Sequence, residues 1–364
     1  MWSFKTSKGN MKTISVIGSA PIVLGKPGVG KAWKLLEILE KIGYKLTNDL
    51  SGDFVLAIDH NQVIMKKLTS EESFQRPKCL LRLEPTSVFP SQYSKRVEAQ
   101  YGLILTPGQV DTKGISLTKY GWPYQYHYDP VTPSAQDPQL SDKLQFLSPE
   151  ADKLLDTWQN RPIKVSLIAG NKVTPTREKN YSLRRKIAKE TSPTILEVYG
   201  PLWTDKLFVK LRHRLAVAYF ALRQGQIPSA SSIYGDLFAK YKTTKGFVAN
   251  KHSILEKSKF ALTIENSNSY ASEKIFDALI NGSIPIYVGP KLESLGLPQD
   301  IAIEADLFST GLIEILSNLD EPKIHSLLNA GNTFLKTSDF KSKWTAESVY
   351  EEIGFEIIHF FEQK

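Results

Sequence analysis

Short apolar runs alternate with stretches of helical periodicity along most of this chain, and that alternation restricts the fold more than any other feature. Ile14–Ile17, Phe54–Ile58, Leu80–Leu83 and Leu103–Leu105 read as strands in the first half. Lys164–Ala169, Ile195–Tyr199, Phe260–Ile264 and Ile284–Val288 do so in the second. Between them, Lys31–Ile42 sets Leu35, Leu36 and Leu39 on one helical face, and Glu273–Asn281 is helical and stops at Gly282. Such alternation points to α/β layers. Residues 120–140, with Trp122-Pro-Tyr-Gln-Tyr-His-Tyr-Asp-Pro130, read as a loop, followed by a helix over Pro149–Trp158. Val349, Ile353, Ile357 and Phe360 predict a long final helix that lies across both domains.

A chain of 364 residues exceeds the ~250–300 at which a single core stops growing. Two domains are expected, over 1–158 and 159–342, followed by the helix 343–364, with the boundary near Asn160-Arg-Pro162. Two Rossmann-like halves facing one another put a cleft between them, and open α/β sheets bind ligands at the carboxyl ends of their strands. Cys79 is the single cysteine, so no intrachain disulfide exists and a reducing cytoplasm is expected. The apolar stretch from Ile14 to Leu24 is too short, and too broken by Gly and Pro, to cross a bilayer. It reads as a first buried strand rather than a signal peptide. The net charge of +8 favours anionic partners. Lys and Arg are spread along the chain and no nucleic-acid-binding signature is present.

The chemistry concentrates in Lys259–Pro290, which reads as strand, polar loop, helix, tight Gly-Ser and strand. Its loop carries Glu265, Asn266, Tyr270, Glu273 and Lys274, groups that grip a sugar nucleotide. Carboxylates accept from sugar and ribose hydroxyls, and an ammonium at a helix start neutralises a diphosphate beside free backbone N–H groups. A cation in the first turn opposes the helix dipole by about 0.3–1 kcal/mol, which a bound phosphate reverses. The alternative reading turns Lys274 to water and lets Glu273 compensate the dipole.

The order Glu265-Asn266-Ser267, Tyr270, Glu273-Lys274, Ala278-Leu279, Gly282-Ser-Ile-Pro285 and Gly289 resembles the donor-site signature of glycosyltransferase family 10, the α1,3/α1,4-fucosyltransferases. The resemblance implies a GT-B fold, GDP-fucose as donor, a glycan hydroxyl as acceptor and inversion at the anomeric carbon, in a bacterial-type soluble form. This chain departs from the pattern in a shorter loop between Ser267 and Tyr270, in Ile264 for an aromatic, and in Ala271-Ser272. Ser182-Leu-Arg-Arg-Lys-Ile187 resembles the family's Arg-bearing helix, which implies that Arg184, or else Arg185, contacts the donor diphosphate. The alternative is a solvated basic face. Leu83-Glu84-Pro85-Thr86-Ser87 resembles the place of the family's proposed general base and implies that role for Glu84. Many strand-end glutamates merely solvate a loop. With Arg and Lys neutralising the diphosphate, no cofactor or metal is expected.

Other signals are weaker. Gly25-Lys-Pro-Gly-Val-Gly30-Lys31-Ala32 approaches a P-loop, but Ala32 lacks the hydroxyl for Mg²⁺ and the strand ends well before Gly25. The six histidines show no metal-ligand spacing, and His127 reads as a surface loop residue. In Lys206–Arg223, Leu207, Leu211, Leu215 and Tyr219 form an apolar stripe beside Lys206, Lys210, His213 and Arg214. Packing on the core is expected; peripheral contact with an anionic membrane, at the inner face if the acceptor is lipid-linked, is the alternative. A GT-B enzyme using another nucleotide sugar, a P-loop NTPase or kinase, and a non-catalytic glycan-binding module are the competing functions.

Overall fold

The computed structural model describes residues 11–19, 22–25, 32–69, 76–86, 88–107, 116–120, 151–174, 180–223, 227–228, 235–248, 250–268 and 271–363. Two compact units emerge, one of Met1–Asp137 with Ser342–Lys364 and one of Pro138–Lys341.

The first unit carries β1 (Thr13–Gly18), α1 (Trp33–Ile42), β2 (Lys45–Thr47), β3 (Phe54–Ile58), α2 (Gln62–Thr69), β4 (Lys78–Leu81), β5 (Leu103–Pro107) and β6 (Ser116–Tyr120). Its strands form one parallel sheet in the order β2-β1-β3-β4-β5-β6. Successive side chains of β3 alternate between two buried layers, as the period of two requires. Phe54, Leu56 and Ile58 join Leu35 and Leu39 of α1, whereas Val55 and Ala57 join Met65 and Leu68 of α2. Covered on both faces, β3 is apolar at every position.

The C-terminal helix, Ala346–Glu362, completes the first of these layers. Val349, Ile353, Ile357 and Phe361 are buried beside α1, and Phe361 stacks on Phe54 at 4.3 Å. Phe361 thus takes the place that helical spacing gave to Phe360. The close approach is such that a Cβ on Gly102 would lie 2.6 Å from the Phe360 ring. The helix is therefore part of the first unit rather than a separate segment.

The second unit carries α3 (Ala151–Gln159), β7 (Ile163–Ile168), α4 (Asn180–Glu190), β8 (Leu196–Tyr199), α5 (Leu207–Arg223), β9 (Thr244–Gly246), β10 (Ser258–Ile264), α6 (Lys274–Ile280), β11 (Ile284–Val288), β12 (Ile303–Glu304), α7 (Leu312–Ser317) and α8 (Glu321–Lys336). Its sheet is again parallel, in the order β12-β11-β10-β7-β8-β9. Trp158 of α3 sits in this core, donates to the Lys259 carbonyl at 2.6 Å and meets Phe260 edge-on. The division between units accordingly falls before α3, not at residue 158.

Helix α5 reverses its expected packing. Lys210 and Arg214 are buried, while Leu207, Leu215 and Tyr219 are exposed. Of the P-loop-like segment only Gly25 and Ala32 lie among the described residues; Lys26–Lys31, the loop at 121–140 and His127 lie outside them. Among the described residues no helix is long and apolar enough to cross a membrane, and no group of three His, Cys, Asp or Glu could hold a metal ion.

Replacing Ile357 by Ala should destabilise the first unit by about 2–5 kcal/mol, the range for a fully buried isoleucine, as read from the denaturant midpoint.

Candidate functional site

In the second unit β7 is the first strand of the sheet, with β8 on one side and β10 on the other. Chain connections leave these two strands in opposite directions, and open α/β sheets bind ligands beyond the carboxyl ends at such a switch point. The loop after β10 and the start of α4 occupy that position, and of the residues singled out by sequence they hold Arg184, Glu265, Asn266 and Lys274.

Glu265 follows β10 directly and is fully buried. Its carboxylate accepts from the Ser272 N–H at 2.8 Å, the Ser272 hydroxyl at 2.6 Å and Lys274 Nζ at 2.8 Å. Lys274 also donates to Ser272 Oγ at 2.6 Å. The ammonium therefore neither points free into water nor relies on Glu273; its counter-charge is Glu265, and about a fifth of its side chain, 22%, remains exposed. Room for this arrangement comes from Gly289 after β11. A Cβ there would lie 2.5 Å from the Tyr287 hydroxyl and 2.9 Å from Glu265 Cγ.

Asn266 and Arg184 form the second part of the cluster. Arg184 Nη2 donates to Asn266 Oδ1 at 2.9 Å and to the Ile264 carbonyl, and its guanidinium lies 4.9 Å from the centre of the Tyr181 ring. The residue is buried, so its fork braces the end of β10 instead of standing open to an anion. Arg185, about 100° further round α4, turns elsewhere, to Asp236 Oδ2 at 3.3 Å and the Lys172 carbonyl at 2.8 Å. Neither arginine is a solvated basic face. Tyr270 lies outside the described residues.

Three participants escaped the sequence reading. Asn180, the first residue of α4, donates to the Glu265 carbonyl at 3.1 Å and to Asn268 Oδ1 at 2.8 Å, tying the helix start to the loop. An asparagine at a helix start was a legible signal. Ser272 was noticed only as a departure from a family pattern. Lys251 lies 3.5 Å from Glu273 and pairs with Asp277 of α6, so Glu273 faces this second lysine rather than Lys274. Burial, reinforced by the nearby Glu273 carboxylate, pushes the Asp277 carboxyl up to about 7 against the pull of Lys251.

Glu84 belongs to the first unit and follows β4. Its N–H donates to Asp59 Oδ1 at 3.2 Å, and its carbonyl accepts from Gln92 Nε2 at 2.9 Å and the Tyr93 hydroxyl at 3.0 Å. Asp59 Oδ1 also accepts from the Leu83 N–H at 2.8 Å, and Asp59 itself sits at φ 55°, a left-handed conformation that aspartate tolerates. Behind them Arg82, fully buried, donates to Glu98 Oε1 at 2.7 Å and lies over the Tyr93 ring at 4.1 Å. The Glu84 backbone is fixed while its side chain stays half-buried.

Two outcomes follow. Gly289→Ala should displace Glu265 and disorder the Lys274 contact while the sheet survives, which a crystal structure of the variant would show. Since Asp277 is held above its unfolded value, its contribution to stability is full at low pH and is lost as pH rises through about 7. Melting temperature should fall from pH 6 to pH 8, and Asp277→Asn should flatten that slope.

No family model matches the chain. A segment of 88 residues is 33% identical to an α-(1,4)-fucosyltransferase of Arabidopsis thaliana, covering 24% of this chain and 22% of that protein. Another of 81 residues is 31% identical to 4-galactosyl-N-acetylglucosaminide 3-α-L-fucosyltransferase 9 of Bos taurus, covering 21% of each. The chain thus matches about a fifth of the length of these curated relatives. Among solved structures, an α1,3-fucosyltransferase aligns over 99% of this chain and 92% of its own with a TM-score of 0.50 at 15% identity. Anabaena HepE in complex with UDP aligns over 96% and 100% with a TM-score of 0.50 at 10% identity. Two parallel-sheet α/β domains and these neighbours give a GT-B fold. Over these two segments the chain is similar to an α-(1,4)- and a 3-α-L-fucosyltransferase.

Proposed function

We propose that this chain is an inverting, metal-independent glycosyltransferase that moves fucose from GDP-fucose to a hydroxyl of a glycan acceptor. The observation that carries the reading is the Glu265–Ser272–Lys274 cluster at the β7/β10 switch point, with Lys274 partly exposed beside a loop of carboxylate and amide groups. The names of the two curated relatives, both fucosyltransferases, support the sugar.

In this mechanism Glu84 accepts the proton of the attacking hydroxyl, whose oxygen forms a bond to fucose C1 as the bond to the GDP oxygen breaks. Lys274 neutralises charge developing on the leaving diphosphate, an electrostatic contribution that is often the largest in such reactions. Glu265 aims that ammonium. Arg184 and Arg185, braced on backbone and on Asp236, hold α4 and the β10 loop in place. Asn266, Tyr270 and Glu273 are assigned to fucose and ribose hydroxyls. An acceptor carried on a lipid, in a surface polysaccharide or lipopolysaccharide, would bring the enzyme to a membrane.

Calorimetry with GDP and GDP-fucose in the presence of a chelator tests the donor. Tight binding is expected in the wild type and its loss in Lys274→Ala, with turnover reduced on the order of 10²–10³-fold. The two Ser272 donors remain on Glu265 in that variant, so its melting curve should stay cooperative. Unchanged binding, or a preference for a different nucleotide sugar, would overturn the assignment. Glu84→Gln should cut turnover by about 10²–10⁴-fold while donor affinity is retained, as required of a base and not of a loop support.

A further inference from the structure

Helix α5 is built inside out. Lys210 and Arg214, one turn apart, are 5% and 4% exposed, whereas Phe208 and Leu222 are 73% and 60% exposed, with Leu215 and Tyr219 also in solvent. The orientation is set from beneath. Lys210 Nζ donates to the Ala239 carbonyl and lies 5.3 Å over the Tyr241 ring, and Arg214 Nη1 donates to the Gly235 carbonyl. A rotation hiding the apolar residues would strip two buried cations of these partners, which buried charge requires. The outward stripe is thus a fixed product of the packing.

At 3.6 residues per turn, positions 208, 215, 219 and 222 fall on one side of the helix. A contiguous apolar patch of this kind marks an interaction surface. The surrounding charge indicates with what. From Lys206 to Gly235 the sequence holds five Lys or Arg and no Asp or Glu, with Asp205 and Asp236 at its two ends; Lys206 and Arg212 are exposed, and Arg212 lies on the stripe's side of the helix. A second copy of the chain would set the same cations against one another. An anionic bilayer offers apolar depth for the stripe and negative headgroups for its rim.

We propose that α5 is a membrane-surface docking helix, lying in the headgroup plane of an anionic bilayer with Phe208, Leu215, Tyr219 and Leu222 inserted. Its 17 residues give about 25 Å of contact length. Phe238, on the segment that Lys210 and Arg214 hold, is 80% exposed and adds to the apolar surface. The proposal is independent of the donor assignment.

Co-sedimentation of the full chain with vesicles tests it. The wild type should pellet with phosphatidylcholine vesicles containing phosphatidylglycerol and stay in the supernatant with phosphatidylcholine alone. The double variant Phe208→Ser, Leu222→Ser should lose partition on the order of a hundredfold. Both positions are exposed, so its melting temperature and GDP-fucose affinity should match the wild type. A wild type that ignores anionic vesicles, or a variant that binds them equally well, would overturn the proposal. So would self-association in sedimentation velocity that the same variant abolishes, which would make a second copy the occupant.

Discussion

A carboxylate cut off from water must be met by donors held in place by the fold, and Glu265 imposes that demand on everything around it. Ser272 meets it twice and Lys274 once, which fixes the chain between β10 and α6 and sets the direction of the ammonium. The same demand reaches β11, where only glycine at 289 leaves room for the Glu265 side chain and the Tyr287 hydroxyl. It reaches α4 through Asn180, which grips the Glu265 carbonyl. A single buried charge thus coordinates the ends of two strands and the starts of two helices. Polar networks of this kind specify one arrangement when every member is satisfied.

The first unit solves a similar problem with Asp59, whose carboxylate gathers the N–H groups of Leu83 and Glu84 and the amide of Gln92. Burial beside Arg82 holds His60 well below its ordinary value, at about 4, so it stays neutral and hydrogen-bonds Tyr101 at 2.9 Å. In both units a buried acid directly after a strand organises a loop at the carboxyl end of the sheet, its own loop for Glu265 and the one after the neighbouring strand β4 for Asp59. The resemblance between the two halves lies in this arrangement as well as in their parallel sheets.

Much of the scaffold was legible in the sequence because strands covered on both faces are apolar throughout. Phe54–Ile58 and Ile284–Val288 are read without error, and Gly282, at φ 65°, ends α6 as its conformation demands. The edge strands β2, β9 and β12 escape because they are two or three residues long and carry polar side chains. The packing of α5 was misread for a different reason. Amphipathic reasoning sends Lys and Arg to water, and nothing local announces that Ala239 and Gly235 will offer carbonyls to them. Within the site, Glu265, Asn266 and Lys274 were found by residue type and order. Lys251 was not, since it joins Glu273 and Asp277 only once the chain has folded back over more than twenty residues. Sequence could name Arg184 and Arg185 as a pair, but only the helix's rotation tells which turns toward β10.

The helix Ala346–Glu362 belongs to the core that begins with β1. On a ribosome, where synthesis proceeds from the amino end, the second unit has its whole sequence in hand before the first does. Until that last helix emerges, Phe54, Leu56 and their neighbours lack the surface that covers them. The first unit, begun before the second, is therefore completed after it, and until then it exposes an apolar layer of the kind that chaperones bind.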